Sequence, residues 1–284
     1  MKKFVAIALG VCMTAALVAC GNNNNNSAAA PTEAATETPA EVTPEATTEE
    51  PTEAPAEEVT EAPAEEVAVM SYDEYAAADL DTVVVVETYV QATQSWWDNT
   101  INVYAQSPEG GYFIYNMACA EDQAPLLTAG TKIRVSGFKS EWSGEIEITD
   151  ATFEIVDSAD NYVAEAVDVT ALLGTDELSN YMNQLVSFTD LTIAASTDAD
   201  GNEAAFLYNW DGSGSHDANS DLYFNVTDAN GETFTFTVES YLCNNETEVY
   251  QTVEGFQVGD TVDLAGFLYW YNGANPHIVS AIVK

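Results

Sequence analysis

Basic residues are scarce in this sequence. Six Lys or Arg stand against 47 Asp or Glu, giving a formal net charge of −41. Beyond residue 68, four cations and 35 carboxylates remain, a net charge of −31. Such a field repels phosphate groups, which proteins bind by displacing counterions with Lys and Arg. The composition therefore predicts that nucleic acid is not a partner.

Residues suited to catalysis are also few. Histidine occurs only at His216 and His277, and no spacing of His, Cys and Asp indicates zinc. The run from Gly212 to His216 is not the Gly-x-Ser-x-Gly nucleophile elbow. A hydrolase would need a cleft holding one of the two histidines, or two carboxylates with perturbed pKa values. We therefore expect neither an enzyme nor a cofactor.

Aromatic residues are missing between Phe4 and Tyr72. Residues 21–68 hold six of the nine prolines and twelve glutamates, without any Lys or Arg. One octapeptide, Thr-Glu-Ala-Pro-Ala-Glu-Glu-Val, occurs twice in succession at 52–59 and 60–67. Such a segment has too little apolar area to offset its chain entropy. We predict a disordered stalk over 20–68, extended by proline and like charge.

The first twenty residues have the pattern of a targeting segment. Two lysines precede an apolar run, 4–18, which is too short for a membrane-spanning helix and suits a signal peptide. The run ends Leu17-Val18-Ala19-Cys20, which resembles the lipobox of bacterial lipoproteins. The resemblance implies a signal peptide over 1–19, acylation of Cys20, and an extracytoplasmic protein with the membrane as partner. The alternative is an ordinary signal peptide, although an A-x-A-type site is missing.

Three glycines repeat at one spacing. Gly130, Gly137 and Gly144 follow the pattern Gly-x6-Gly-x6-Gly, and Gly259, Gly266 and Gly273 repeat it. An aromatic residue precedes the third glycine by two positions in each copy. Three glycines in register with an aromatic residue predict a duplication.

Both copies predict the same order of elements. In the first, strands are predicted over 82–91, 100–106, 111–117, 131–138 and 145–155, with a short helix over 121–127. In the second they are predicted over 185–194, 221–227, 232–240, 261–267 and 277–283, with a helix over 246–256. Short lead-in helices are predicted over 72–78 and 176–183.

Three strands, a helix and two strands is the order of an OB-fold. The pattern resembles the secreted tandem OB-like modules of bacterial surface proteins. We therefore predict a mainly β protein with two small five-stranded OB-like barrels, at 69–160 and 161–284. Two small β-sandwiches remain the alternative.

Aromatic residues are concentrated in the loops that border the ligand face of an OB-fold, those after strands one and four. Their rings offer flat apolar surface for sugar faces or bases. The alternative is that they plug the barrels or pack the loops. The candidate ligand-binding residues are Trp96, Trp97, Trp142, Trp210, Tyr269, Trp270 and Tyr271.

Three of the four cations after residue 68 lie within eight residues of one another, at Lys132, Arg134 and Lys139. They would be able to grip an anionic group. Because the chain is so acidic, we expect them instead to pair across the strand with Glu145 and Glu147. Exposed pairs of this kind add little stability.

Two further features leave alternatives open. The acidic run 198–203 contains a glycine and would suit calcium, but it lacks the EF-hand register, so a solvated loop is favoured and no metal is expected. Cys119 and Cys243 are the only cysteines after the lipobox. An exported protein allows a disulfide between them, and two reduced, half-buried thiols are an equal alternative.

The function predicted from these patterns is a non-catalytic cell-surface lipoprotein that binds or adheres to an extracellular glycan, peptide or protein. One alternative is a structural accessory lipoprotein of an envelope complex without a small ligand. Another is an oligonucleotide-binding OB-fold protein, which the negative charge disfavours. The oligomeric state is left open by the sequence.

Overall fold

The structure is a computed structural model that describes residues 68–284. The predicted signal peptide, Cys20 and nearly all of the predicted stalk lie outside the described residues and remain predictions. The strands of the described part are β1 (Val83–Thr93), β2 (Thr100–Ser107), β3 (Gly110–Ala118), β4 (Lys132–Trp142), β5 (Glu145–Ile155), β6 (Val167–Asp168), β7 (Leu185–Ala194), β8 (Ser196–Thr197), β9 (Glu203–Ala204), β10 (Leu207–Tyr208), β11 (Leu222–Thr227), β12 (Thr233–Val238), β13 (Thr261–Phe267) and β14 (His277–Val283). The α-helices are α1 (Tyr72–Ala77) and α2 (Glu248–Glu254).

The first five strands form a closed barrel in the order β1-β2-β3-β5-β4. It closes through antiparallel pairing of β1 with β4, from Val83 opposite Phe138 to Tyr89 opposite Lys132. Inward and outward side chains alternate along β4, so one face enters the barrel core and the other meets solvent. We call this barrel 1.

Strands β7, β11, β12, β14 and β13 repeat that order and close through pairing of β11 with β7. The short strands β6 and β10 extend the sheet at its two ends. We call this barrel 2. The predicted fold is therefore confirmed as mainly β with two five-stranded barrels of OB-like order, and the β-sandwich alternative is wrong.

The repeated glycines perform the same tasks in both barrels. Gly130 and Gly259 have φ values of +88° and +96°, which favour glycine, and each donates its backbone N–H to a carbonyl of its barrel's first strand. Gly137 and Gly266 lie where the pairing of the fourth strand with the fifth shifts register. A bulge at this point lets a small barrel turn its corner.

Lys139 joins α1 to barrel 1. The helix begins after Ser71, whose side chain and Glu74 form a capping box. At the other end of the helix, buried Lys139 donates from Nζ to the carbonyl oxygens of Tyr75, Ala76 and Ala78, at 3.0, 2.8 and 2.8 Å. The pairing of Lys139 with a neighbouring glutamate was a wrong prediction.

The other two clustered cations also pair differently from the prediction. Lys132 Nζ lies 2.9 Å from Glu87 Oε2, and Arg134 Nη2 lies 2.8 Å from Glu87 Oε1. Glu87 stands opposite Arg134 in the β1–β4 pairing. Glu145 and Glu147, their predicted partners, are buried.

The short helices follow the prediction only in part. Helix α2 lies within the predicted segment 246–256 and buries Val249, Tyr250 and Val253. The predicted helix 121–127 contains only a short 3-10 turn, Ala124–Leu126, because Pro125 lacks an N–H and restricts the residue before it. The lead-in segment of the second copy is also a 3-10 helix, Asp176–Tyr181.

The cysteines of the described part, Cys119 and Cys243, are both free and buried. Burial raises the pKa of the Cys243 thiol to about 11. Of the two alternatives, the structure therefore has the reduced thiols. Among residues 68–284, no helix has the length and apolar character needed to cross a membrane.

Candidate functional site

A cleft of about 940 Å³ opens between the two barrels. Barrel 1 contributes residues from β2, β3 and the loop after β1. Barrel 2 contributes residues from β11, from β12 and the position after it, from the β13–β14 loop and the start of β14, and from the insertion after β7. Its lining contains seven aromatic rings, four carboxamides, one carboxylate and one imidazole, and no Lys or Arg. These side chains are Phe113, Tyr115, Trp210, Tyr223, Phe234, Tyr269, Tyr271, Gln94, Asn102, Asn272, Asn275, Glu239 and His277.

Aromatic stacking joins the two barrels beside this cleft. Tyr104 of barrel 1 stacks on Phe267 of barrel 2, with ring centroids 4.6 Å apart and an interplanar angle of 22°. Phe113 meets Tyr269 edge to face at 5.3 Å. Tyr104, Phe113 and Phe267 are all buried and form a core cluster of their own. Because both barrels supply rings, the cleft exists only where the barrels pack together.

A buried hydrogen-bond chain fixes one wall. Gln94 donates from Nε2 to the Tyr104 hydroxyl at 3.2 Å. The Tyr104 hydroxyl lies 2.6 Å from His277 Nδ1, to which it donates when that nitrogen is unprotonated. Burial lowers the pKa of His277 to about 3, so the imidazole is neutral at pH 7. The ring of Tyr269 stacks on this imidazole, with centroids 4.3 Å apart.

Glu239 is the carboxylate in the lining. It follows β12 directly, and its two oxygens accept the backbone N–H groups of Tyr241 at 3.2 Å and Leu242 at 2.8 Å. Burial raises the pKa of Glu239 to about 7, with a further contribution from the charge of Asp221. The carboxyl is therefore close to half ionised at neutral pH, and its orientation is fixed by the backbone.

A second perturbed carboxyl lies in the contact between the barrels. Glu145 is fully buried, and its Oε2 accepts the backbone N–H of Trp270 at 2.7 Å. Burial raises the pKa of Glu145 to about 8, so it is mostly protonated at pH 7. A neutral carboxyl in this position avoids the cost of a buried charge.

Three of the seven predicted ligand-binding aromatics line the cleft, namely Trp210, Tyr269 and Tyr271. Trp210 is 76% exposed, so its ring is open to a ligand. Tyr271 is half exposed. The role of these three in binding remains a prediction.

The other four predicted aromatics lie elsewhere. The Trp96 indole is partly buried and donates from Nε1 to the Cys119 carbonyl at 2.9 Å. Trp97 is 77% exposed and borders a smaller groove with Tyr241. Trp142 is exposed at the end of β4. Trp270 is partly buried and packs over Gly144, where an added Cβ would lie 2.8 Å from its ring.

Sequence reasoning missed Phe113, Tyr115, Tyr223, Phe234 and Glu239, which all line the cleft. A signal for part of this set was present in β3. Its run Tyr-Phe-Ile-Tyr, 112–115, carries rings on both faces of one strand. A strand that is aromatic on both faces indicates that its outer face is covered by another element.

The remaining candidate residues have structural partners. His216 Nδ1 lies 2.5 Å from Glu254 Oε1, which also accepts the Tyr208 hydroxyl at 2.7 Å. These bonds fasten the insertion after β7 to α2. In the acidic run, Asp198 Oδ1 accepts the backbone N–H groups of Asp200 and Asn202, which closes the β8–β9 turn. Within residues 68–284, no group of three or more His, Cys, Asp or Glu is placed to hold a metal ion.

Comparison with known proteins gives structural neighbours only. No family model matches the chain, and no curated protein matches it. Among solved structures, a murine DNA-binding protein bound with double-stranded DNA is 13% identical, with 70% of this chain and 94% of that chain covered and a TM-score of 0.33. The p204 HINb domain is 10% identical, with 73% and 100% covered and a TM-score of 0.34. A replication protein A heterotrimer bound to single-stranded DNA is 11% identical, with 71% and 49% covered and a TM-score of 0.27.

These comparisons contradict two predictions. Two of these neighbours are described as DNA complexes, whereas the sequence predicted a glycan, peptide or protein ligand and excluded nucleic acid. The exclusion relied on net charge, which governs phosphate contacts. Bases are also held by stacking on aromatic rings, and net charge gives no information about that. The surface-adhesion prediction and the exclusion of nucleic acid are therefore wrong.

Proposed function

We propose that this chain is a non-catalytic binding protein that holds an unpaired nucleobase, free as a nucleoside or within a short single strand, in the cleft between its barrels. The observation that carries the proposal is the lining: seven aromatic rings with no Lys or Arg. Rings of this kind stack on bases, with about 1–3 kcal/mol per stacked base. The lack of cations in the lining points to contact with the base and not with phosphate.

The polar groups of the cleft suit the edge of a base. Carboxamides of Gln94, Asn102, Asn272 and Asn275 border the rings, and each carries both a donor and an acceptor. Ligand sites commonly combine a mostly apolar wall with a few placed polar groups of this sort. The rings would supply the affinity for the base, and the carboxamides would fix its orientation.

The test is calorimetric titration of the full chain with nucleosides and with an eight-nucleotide single strand. We expect saturable binding of both, and a loss of about fivefold to 150-fold in Trp210→Ala, the range expected for one stacked base. Trp97→Ala is a matched control, because Trp97 is as exposed as Trp210 but lies outside the cleft lining. Absence of saturable binding to all these ligands, or equal losses in the two variants, would contradict the proposal.

We also propose that the chain is anchored outside the cytoplasm through acyl chains on Cys20. Support comes from the sequence Leu17-Val18-Ala19-Cys20 after a short apolar run. Each buried methylene contributes about 0.8 kcal/mol, so more than one acyl chain is needed for stable anchoring. In a bacterial host, labelled palmitate should enter the wild type and Cys12→Ala but not Cys20→Ala. Equal labelling of the two variants would overturn this proposal.

A further inference from the structure

The charges around the cleft determine which nucleobase ligands it favours, given the function proposed above. Its lining holds a carboxylate and no Lys or Arg, and the chain beyond residue 68 carries a net charge of −31. A phosphate brought to this cleft would meet a repulsive field. A positive charge or a row of N–H donors would meet a favourable one.

Glu239 is the group in the cleft lining that would accept a hydrogen bond from such a donor. Backbone N–H groups of Tyr241 and Leu242 hold its two oxygens in place. Each carboxylate oxygen has a further lone pair and so can accept a second hydrogen bond. Glu239 and the rings of Tyr223 and Tyr269 line the same cleft, so a stacked base would lie close to the carboxylate.

We propose that Glu239 is a specificity-determining residue that accepts a hydrogen bond from the exocyclic amino group of the bound base. The cleft then selects amino-bearing nucleosides, adenosine and cytidine, over their oxo counterparts, inosine and uridine. It also selects nucleosides over nucleotides, because the phosphate of a nucleotide is repelled. A base with a cationic ring would bind more tightly still, since aromatic faces attract cations.

Binding of an amino-bearing base to Glu239 should depend on pH. Protonated Glu239 loses one acceptor and its charge, and burial places its pKa at about 7, so adenosine should bind more weakly at pH 5.5 than at pH 8. The groups that interact electrostatically with Glu239 are Asp221, whose charge raises the pKa of Glu239, together with Tyr104, Tyr223 and Cys243. Tyr269 and His277 share the cleft lining with it. Burial raises the pKa of the three tyrosines and of the Cys243 thiol and lowers that of His277, so these groups keep one protonation state between pH 5.5 and 8.

The experiment compares adenosine, inosine and adenosine monophosphate with the full chain at pH 8 and pH 5.5. At pH 8 we expect adenosine to bind about tenfold more tightly than inosine, the scale of a hydrogen bond to a charged acceptor. In Glu239→Gln, that ratio should fall several-fold and the pH dependence should disappear. Glu232→Gln is the control, because Glu232 is an exposed acid in the β11–β12 turn.

The outcomes separate the two proposals. If neither a nucleoside nor the eight-nucleotide single strand binds at either pH, the proposed function fails and the role of Glu239 fails with it. If adenosine and inosine bind equally to the wild type, the function stands and the role of Glu239 is overturned. Tighter binding of the monophosphate, or an unchanged pH dependence in Glu239→Gln, also overturns the role of Glu239. An unchanged near-ultraviolet circular dichroism spectrum ensures that the variant is folded.

Discussion

Barrels 1 and 2 share a strand order and differ in the connection between their first two strands. In barrel 1 the residues 94–99 join β1 to β2, whereas in barrel 2 the residues 195–221 separate β7 from β11. The longer connection carries β8, β9 and β10 and brings Trp210 to the cleft. The strand order is the same in both barrels. The longer connection of barrel 2 supplies Trp210, the most exposed ring of the cleft lining.

The barrels also differ in what plugs their ends. Barrel 2 has α2, which buries three side chains in its core, while barrel 1 has only a 3-10 turn at the same place in the order. Barrel 1 receives α1 instead, and Tyr75 of α1 is part of its core cluster. Two copies of one fold have therefore filled their cores with helices from different places in the sequence.

Gly137 and Gly266, which lie at the corners of barrels 1 and 2, allow the packing at the two corners to be compared. A Cβ at Gly266 would lie 2.2 Å from the backbone oxygen of His277, whereas at Gly137 its nearest atoms, a methyl of Ile148 and the Thr149 oxygen, would both be at 2.7 Å. We expect Gly266→Ala to lower the free energy of unfolding by about 2–4 kcal/mol, because backbone has to shift, and Gly137→Ala to cost less. Urea denaturation of both variants measures the difference.

Gly231→Ala serves as the control for these glycines. Its Cβ would meet nothing within 4 Å, so only its positive φ of +83° adds a cost, of about 1–2 kcal/mol. Equal losses of unfolding free energy in Gly137→Ala and Gly266→Ala would show that an added Cβ strains the two barrel corners equally.

The contact between the barrels should weaken as pH rises. Glu145 has a folded-state pKa of about 8, above its ordinary value of 4.5, so the folded state binds more protons and stability falls as pH rises between these values. The slope contributed by this group is at most about 1.4 kcal/mol per pH unit. Glu145→Gln imitates the neutral carboxyl, and we expect it to be more stable than the wild type at pH 8.5 but not at pH 4.5.

Thermal unfolding across that pH range provides the measurement. Glu141→Gln is the control, since Glu141 is exposed on the same hairpin as Glu145. The stability of Glu145→Gln should still fall with pH, but less steeply than that of the wild type, because burial also raises the pKa values of Glu239 and Glu147. A slope in Glu145→Gln as steep as that of the wild type would show that Glu145 does not weaken the contact.

The smallest effect is expected at the ion pairs of barrel 1. Glu87→Gln removes the negative partner of Lys132 and Arg134. Because all three side chains are partly exposed, we expect a loss of at most about 1 kcal/mol, smaller in high salt. Urea midpoints at two salt concentrations measure it. A loss above 2 kcal/mol that salt leaves unchanged would contradict this view of the cluster.

Much of the fold was predictable because alternation and glycine spacing are local. The predicted bounds of three barrel 2 strands, 185–194, 261–267 and 277–283, agree with β7, β13 and β14. The cation pairing was not predictable in the same way. Glu145 and Glu147 were proposed because they follow β4 in the chain, but Arg134 faces Glu87 across the barrel-closing pair of β1 and β4, which is distant in sequence.

The candidate site was the least predictable part. Sequence identified loop aromatics by their place in an OB-like order, and that reasoning applies to each barrel separately. The cleft forms where two barrels meet, so the position of Tyr271 or Phe113 depends on how the barrels pack. No periodicity within a single strand encodes that packing, which explains why four of the seven predicted aromatics lie outside the cleft lining.

The stack of Tyr104 on Phe267 limits how the chain can be divided. Those two rings and Phe113 lie buried between the barrels, and cutting the chain between 160 and 180 would expose them on both pieces. An apolar patch of that kind promotes self-association in a separated half. A gene fragment that encodes one barrel would therefore yield a product prone to aggregation, although each half contains a complete set of five strands.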